Sequence, residues 1–237
     1  MSMARRTGGS LITPETRVRV KKLGEPIALF LGRLGLTPNG LTLIGFGITV
    51  GGAVLAAVGL WLAAGIVIFA GGAFDLFDGT LARATGKVSN VGAFMDSVFD
   101  RWGEGITYLG IVIGGTAWTG LPILAAFAMT SAFLVSYVRA KSEGLGFTPG
   151  SGMAQVGLAP REIRLVILAV GLVATGLLGG TSGHRLDPVS PPEPFISFRD
   201  GSWALGIALG LIGILATITV IQRILHVRQQ AAGSGGK

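Results

Sequence analysis

Six long apolar stretches recur along this chain of 237 residues, and each is long enough to cross about 30 Å of hydrocarbon as a helix. They lie at 40–59, 62–82, 91–114, 120–140, 163–180 and 202–224. Only 13% of the residues are charged, which is about half the share expected of a soluble domain. Most of the 40 glycines lie within apolar runs without a Gly-X-Y period, as expected where helices pack closely. The sequence therefore predicts an all-α, polytopic membrane protein with six transmembrane helices.

The segment 14–35, ahead of the first apolar stretch, has a different pattern. Its apolar residues alternate with basic ones, which is typical of an amphipathic helix lying in the membrane interface; an unstructured basic tail is the alternative. The predicted organisation is a flexible basic N-terminus at 1–13, this juxtamembrane helix, a six-helix transmembrane domain at 36–228 and a flexible tail at 229–237.

Basic residues are distributed unequally between the two sides that six spans would define. Seventeen Lys and Arg residues fall on the side of the two termini, whereas Arg185 and Arg199 fall on the other. Positive charge concentrates on the cytoplasmic side of membrane proteins, so both termini are expected in the cytoplasm. The same distribution explains the net charge of +7 without a nucleic-acid partner.

Four of the twelve acidic residues form two closely spaced pairs, which are Asp75, Asp78, Asp96 and Asp100. Spacings of three and four residues place each pair on one face of a helix. Because the connection between the second and third stretches is short, we expect these helices to be antiparallel neighbours whose carboxylate pairs face each other near the cytoplasmic surface. Four unpaired carboxylates would repel one another, and the chain has no Cys. The cluster therefore predicts a site for one or two divalent cations with oxygen ligands, such as Mg²⁺, Mn²⁺ or Ca²⁺.

Small residues accompany these carboxylates. Gly79 and Ala82 lie on the same side of their helix as the aspartates, and Gly92 lies one turn before Asp96. Such residues let a substrate approach the metals closely, or alternatively they only permit helix packing. Arg83, one turn beyond Gly79, is a candidate counter-charge for a phosphate.

Together these residues form the pattern Asp-x2-Asp-Gly-x2-Ala-Arg-x8-Gly-x3-Asp-x3-Asp over 75–100. The pattern resembles, without departure, that of the CDP-alcohol phosphotransferases. The resemblance implies a catalytic site at the cytoplasmic membrane interface that holds two Mg²⁺ ions, for which Mn²⁺ can substitute. It implies four metal ligands, Asp75, Asp78, Asp96 and Asp100, with Asp100 also serving as general base. The residues that match the CDP-lipid site are Asn39, Gly40, Leu41, Thr42, Gly79, Ala82, Arg83 and Ser89.

The reaction implied by this resemblance is transfer of the phosphatidyl group from CDP-diacylglycerol, or a similar CDP-linked lipid, to an alcohol. Two metal ions can hold a diphosphate and stabilise charge on the departing CMP. A carboxylate beside them can take the proton of the incoming hydroxyl. We expect an integral membrane enzyme of a prokaryotic cell membrane, in contact with lipids and assembled as a homodimer.

Polar and basic residues at the cytoplasmic helix ends bear on the identity of the acceptor alcohol, and these are Ser136, Arg139, Arg164 and Arg223. They resemble the residues that bind the phosphate of inositol 3-phosphate in phosphatidylinositol phosphate synthases and their archaeal counterparts; alternatively, they are interfacial anchors. The Asp100-Arg101 pair followed by Glu104 also resembles this branch. The sequence departs from it at 159–162, where Ala-Pro-Arg-Glu replaces a Glu-Arg-Pro element. Glycerol 3-phosphate, the acceptor of phosphatidylglycerophosphate synthases, is the second candidate, and a divalent-cation transporter is the alternative of a different class.

Overall fold

The computed structural model describes residues 25–115, 120–147, 153, 156–180 and 201–234, and all regular structure within these ranges is helical. A first helix, α1, covers 25–33. Six longer helices follow, which are α2 (Pro38–Ala57), α3 (Trp61–Ala84), α4 (Asn90–Gly114), α5 (Leu121–Gly144), α6 (Arg161–Leu177) and α7 (Ser202–Ser234). The predicted all-α fold is confirmed for these residues. The predicted N-terminus at 1–13, the segment 14–24 and the last three residues of the predicted tail lie outside the described part of the chain.

Four helices, α2, α3, α5 and α7, are long and apolar enough to cross a membrane. The other two long helices differ from them for visible reasons. Helix α4 carries four charged residues, Asp96, Asp100, Arg101 and Glu104, and α6 has only 17 residues. Helix α7 continues ten residues beyond the apolar stretch that ends at 224, because the polar residues that follow include good helix formers and no proline.

Side-chain caps fix where the helices of the motif begin. The hydroxyl of Thr37 accepts a hydrogen bond from the backbone N–H of Gly40 at the start of α2, where Pro38 occupies the first helical position. Ser89 caps α4 in the same way by accepting from the N–H of Gly92. Gly35, with φ of 86°, follows the end of α1 in a left-handed conformation that favours glycine.

The six long helices pack as a closed ring in the order α2, α3, α6, α7, α5, α4. Helix α2 therefore lies between α3 and α4, which make little direct backbone contact. This corrects the expectation that α3 and α4 are direct neighbours. Glycines are the physical reason: a methyl group at Gly71 would crowd the backbone of α2 at Thr49, and one at Gly110 would overlap the carbonyl of Ala53. Both α3 and α4 thus approach α2 very closely.

An apolar core fills the middle of the ring and the end away from the aspartates. It includes Trp61, Ile68, Tyr108, Leu121 and Leu205, all with at most 2% of their surface exposed. A smaller apolar cluster joins Ala28 of α1 to Leu41 of α2 and Leu81 of α3. The remaining apolar side chains of α1 are largely exposed, as in a helix that lies against a lipid surface.

Candidate active site

One end of the ring gathers the start of α2, α4 and α6 and the end of α3, α5 and α7. The hydroxyl of Thr42 on α2 donates to Asp78 on α3 at 2.6 Å. Arg161 on α6 reaches both α3 and α4, and Arg223 on α7 donates to the carbonyl of Val135 on α5. Hydrogen bonds and ion pairs therefore join α2, α3, α4 and α6 at this end, and a further hydrogen bond joins α5 to α7.

The four aspartates of the motif lie in one electrostatic group at this end of the ring. Asp78 is buried and accepts hydrogen bonds from Thr42 and from the backbone N–H of Gly79. Asp75 and Asp96 are each close enough to the other acidic residues to interact with them through their charges. The predicted clustering of the carboxylates is thus present, although α2 separates the two helices that carry them.

Arg161 lies between two of these carboxylates. Its Nη2 is 2.6 Å from Oδ2 of Asp75, and its Nη1 is 2.8 Å from Oδ1 of Asp100. The sequence motif does not include this residue. Its signals in the sequence are its position among the basic residues at the start of the fifth apolar stretch and its place in the segment 159–162, where the sequence departs from the related branch.

The donor set suits a divalent cation by its chemistry. Each of Asp75 and Asp100 uses one carboxylate oxygen for Arg161, and the second oxygen of Asp100 lies 3.7 Å from Nη2 of Arg101, too far for a hydrogen bond. Carboxylate oxygens are the ligands that Mg²⁺ and Mn²⁺ prefer. In the arrangement described, however, no three acidic or histidine side chains among the described residues converge as a metal-binding group. A cation that binds Asp75 or Asp100 would therefore share that carboxylate with Arg161 or displace it.

The small residues of the motif lie in open surroundings. Among the described residues, a methyl group built at Gly79 would meet only the guanidinium of Arg83, 3.3 Å from its Nη1. One at Gly92 would lie 3.1 Å from the Ser89 hydroxyl and 3.3 Å from Oδ1 of Asn39. No neighbouring helix backbone therefore requires a glycine at 79, which favours the interpretation that this surface is kept clear for a substrate. Ala82 lies on the same helix and is partly exposed.

The residues predicted to bind a CDP-linked lipid divide into two groups. Asn39 and Arg83 have exposed side chains near this end of the ring. Leu41 is fully buried in the small apolar cluster, and the N–H of Gly40 and the hydroxyl of Ser89 are used in helix capping. For this second group the structure provides a positioning role, since they fix the start of α2 and α4 beside Asp78 and Asp96.

The residues predicted to bind the acceptor phosphate differ in accessibility. Arg164 is 1% exposed and donates to Glu104 and to the carbonyl of Ala159. Arg223 is also buried, and donates to backbone carbonyls. The side chain of Arg139 is 47% exposed and pairs with Glu143.

The hydroxyl of Ser136 donates to the carbonyl of Ala132 in its own helix, as serine hydroxyls in helices often do. Charges on Arg139 and Arg164 act on Arg223, so these three cations share one region of the molecule. They extend from the aspartates toward the ends of α5 and α7.

Arg161 also lines two small cavities beneath the aspartates. One, of about 30 Å³, is bounded by Glu104, Tyr108 and Arg164 among others. The second, of about 10 Å³, is bounded by Asp75, Asp100 and the ring of Phe46 among others. The site therefore continues from the carboxylates into the interior of the ring along α6.

Comparisons with known proteins agree with this geometry. The family model for CDP-alcohol phosphatidyltransferase matches residues 35–186. The chain is 33% identical over 218 residues to archaetidylinositol phosphate synthase of Pyrococcus horikoshii, which covers 90% of this chain and 95% of that protein. It is 31% identical over 233 residues to phosphatidylinositol phosphate synthase of Streptomyces avermitilis, covering 95% of this chain and 86% of that protein.

Solved structures give the same result. The crystal structure of Mycobacterium tuberculosis phosphatidylinositol phosphate synthase in complex with manganese and citrate superimposes with a TM-score of 0.68 at 27% identity, covering 86% of this chain and 88% of that one. The structure of the same enzyme with CDP-DAG bound has a TM-score of 0.67 at 26% identity, covering 87% and 94%. The resemblance inferred from the sequence motif is confirmed: the chain belongs to the CDP-alcohol phosphatidyltransferase family of transferases.

Proposed function

We propose that this enzyme transfers the phosphatidyl group of CDP-diacylglycerol to a hydroxyl of inositol 3-phosphate and releases CMP. The observation that carries this proposal is the continuous polar site at one end of the ring, in which Arg161 links the aspartates of α3 and α4 to the first turn of α6. The names of the similar proteins support inositol phosphate as the acceptor. Family membership and the position of the acidic residues at one end of the helices disfavour a cation transporter.

The proposed membrane arrangement has six spans, α2 to α7, with the helix that includes α1 lying in the interface. Helices α4 and α6 complete the set because each packs in the ring between helices that are long and apolar enough to span. The excess of basic residues on the side of the two termini supports a cytoplasmic location for the termini and for the polar end of the ring, in a prokaryotic membrane. A lipid substrate with a charged head group meets this end at the membrane surface.

Asp75, Asp78, Asp96 and Asp100 are the proposed ligands of two Mg²⁺ ions, and Mn²⁺ is proposed to replace them. Bound there, the ions would hold the diphosphate and stabilise negative charge on the departing CMP. The manganese in the similar enzyme supports a divalent cation. Asp100 takes the proton of the attacking hydroxyl, because it lies at the junction between the other aspartates and the basic residues of α6.

The CDP-linked lipid is proposed to lie along α3 and the start of α2. Gly79 and Ala82 keep the surface of α3 clear, and Arg83 offers a guanidinium to a phosphate. The side chain of Asn39 faces the same region next to Gly92. Gly40, Leu41, Thr42 and Ser89 hold the helix ends that border this surface.

The acceptor phosphate is proposed to bind near Ser136, Arg139, Arg164 and Arg223. Arg139 is the most accessible of these cations, so it offers the direct contact. The buried Arg223 adds positive charge from beneath, because it bonds to backbone carbonyls and low solvent exposure reduces screening, whereas the charge of Arg164 is balanced by Glu104. A phosphorylated acceptor is favoured over a neutral one because three cations in this region face only two carboxylates, those of Glu104 and Glu143.

A homodimer is also proposed. Gly47 and Gly51 lie one helical turn apart on α2, and a methyl group built at either would meet nothing within 4 Å. Packing among the residues that the structure describes therefore does not explain these glycines, which supports a close contact with a second copy. Light scattering of the detergent-solubilised protein tests this directly, and a monomer mass with full activity would contradict it.

The experiment that tests the function measures CMP release from CDP-diacylglycerol by the full chain in detergent with Mg²⁺. Inositol 3-phosphate, glycerol 3-phosphate and free inositol are compared as acceptors at equal concentration. We expect inositol 3-phosphate to give the highest kcat/KM, with loss of activity on chelation. The Asp96→Asn variant provides the control. Preference for glycerol 3-phosphate would reassign the acceptor, and preference for free inositol would contradict the phosphate site.

A further inference from the structure

The first residue of α6 connects two helices that otherwise barely touch. Arg161 contacts Asp75 on α3 and Asp100 on α4 through two different nitrogens, at 2.6 and 2.8 Å. Its side chain is 24% exposed, and those of Asp75 and Asp100 are less exposed still, at 15% and 14%. Because α3 and α4 make little direct backbone contact, this guanidinium directly links the two halves of the acidic group.

Only a forked cation can make this connection. The planar guanidinium carries separate N–H donors in a fixed geometry and can therefore address two carboxylates at once, whereas the ammonium of a lysine is a single point charge. The preceding Pro160 and the bond from Arg164 to Glu104 hold the first turn of α6 in place beside α4. Arg161 is thus presented to the aspartates from a well-anchored position.

We propose that Arg161 is a positioning residue that acts as a built-in cation of the catalytic site. It fixes the positions of the Asp75 and Asp100 carboxylates relative to each other, and it competes with divalent metal for these carboxylates. This proposal rests on the proposed function, because it concerns the same aspartates.

The charge of Arg161 affects which ligands the metal-loaded site would bind. With two divalent cations bound, the four aspartates alone would be neutral, and Arg161 makes the group positive by one charge. A positive site favours an anionic diphosphate over water and neutral ligands. Arg161 therefore weakens metal binding but strengthens binding of the CDP-linked substrate and fixes the orientation of the base.

A purely architectural role for Arg161 makes a different prediction. If the guanidinium only anchored α6, a folded variant without it would bind metal with the same affinity as the wild type. If it competes for the carboxylates, its removal tightens metal binding while turnover falls. Metal affinity without substrate therefore separates the two roles.

The test measures Mn²⁺ affinity of the detergent-solubilised full chain, from the electron paramagnetic resonance signal of free Mn²⁺, without CDP-diacylglycerol. Arg161→Gln removes the charge, and Arg161→Lys keeps a charge that cannot bridge both carboxylates. Lys141→Gln, an exposed cation on α5, is the matched control for net charge, and Asp96→Asn is the control for the metal site.

We expect Arg161→Gln to bind Mn²⁺ roughly tenfold more tightly than the wild type, the effect of losing one charge-assisted competitor. Its kcat should fall and its KM for CDP-diacylglycerol should rise, while Lys141→Gln stays at wild-type values. Arg161→Lys should have Mn²⁺ affinity and turnover between those of the wild type and Arg161→Gln. If Arg161→Gln does not fold, the Mn²⁺ affinity of Arg161→Lys tests the proposal in its place. Unchanged or weaker Mn²⁺ binding in the folded variant would overturn the proposed role of Arg161 but would leave the proposed metal site unaffected. Absence of Mn²⁺ binding in wild type and variant alike overturns the metal site as well.

Discussion

The guanidinium of Arg164 donates from Nε and Nη2 to the two carboxylate oxygens of Glu104, at 2.8 and 2.9 Å. Its Nη1 donates to the carbonyl of Ala159 at 2.8 Å, and only 1% of the residue is exposed. Arg164 therefore ties the first turn of α6 to α4 from inside the ring. Arg164, which sequence similarity linked to the acceptor phosphate, therefore also forms a buried structural ion pair with Glu104.

Loss of the partner carboxylate should destabilise the fold strongly. In the Glu104→Gln variant the charge of Arg164 stays buried without compensation, and breaking such a pair costs about 3–5 kcal/mol. The matched control is Glu143→Gln, which breaks the exposed pair with Arg139 and should cost at most about 1 kcal/mol. Thermal unfolding of both variants in the same detergent provides the comparison. Equal shifts in Tm would contradict the structural role of the buried pair.

Much of this fold could be predicted from the sequence because its elements are encoded locally. Apolar length predicted the six long helices, and caps such as Thr37 and Ser89 lie next to the segments they start. The spacing of the aspartates likewise predicted which of them share a helix face. These features depend on residues only a few positions apart in the sequence, so the spacing of apolar, capping and acidic residues reveals them directly.

Contacts between distant residues could not be predicted in the same way. Arg161 is 86 residues from Asp75, and Arg164 is 60 residues from Glu104. The order of helices in the ring decides these contacts, and that order depends on how closely glycines such as Gly110 let α2 approach its neighbours. The short connection between α3 and α4 suggested that these two helices pack against each other. Instead, α2 packs closely against both and lies between them.

The hydrogen bond from Thr42 to Asp78 should matter for metal binding. The Thr42→Val variant keeps the shape of this buried side chain and removes its donor. Loss of a partner that orients a metal ligand typically costs about 10- to 100-fold in metal affinity or activity. Thr85→Val is the control, because the Thr85 hydroxyl donates to the carbonyl of Leu81 in its own helix. Mn²⁺ affinity and CMP release report the effect, and equal values for the two variants would refute it.

Arg139, the most exposed of the residues proposed to bind the acceptor phosphate, should determine acceptor binding. Charge-assisted contacts to phosphate contribute about 1.5–3 kcal/mol each. Arg139→Ala should therefore raise the KM for inositol 3-phosphate about tenfold or more, since 1.4 kcal/mol is a factor of ten. The KM for CDP-diacylglycerol should change little, because that substrate lies along α3. Lys141→Ala, two residues away on the same helix, is the control.

Arg164→Ala and Arg223→Ala should differ from Arg139→Ala in one respect. Both remove buried guanidinium groups that bond to neighbouring segments, so they should lower Tm as well as weaken acceptor binding. Arg139→Ala should leave Tm close to the wild-type value. An unchanged acceptor KM in all three variants would favour the interpretation of these residues as interfacial anchors.

Two glycines should respond to alanine in opposite ways. At Gly79 a methyl group meets, in the described part of the chain, only the flexible end of Arg83, and alanine favours a helix over glycine by about 1 kcal/mol. Gly79→Ala should therefore fold with an unchanged or higher Tm, yet release CMP at least about tenfold more slowly, because the methyl group blocks the surface kept clear for the CDP-linked lipid. At Gly110 the methyl group would overlap the carbonyl of Ala53, so Gly110→Ala should lose about 1–3 kcal/mol of stability through overpacking. Thermal unfolding and kcat/KM for CDP-diacylglycerol, measured on both variants, separate the two effects. Full activity of Gly79→Ala would show that substrate does not approach α3 at this residue.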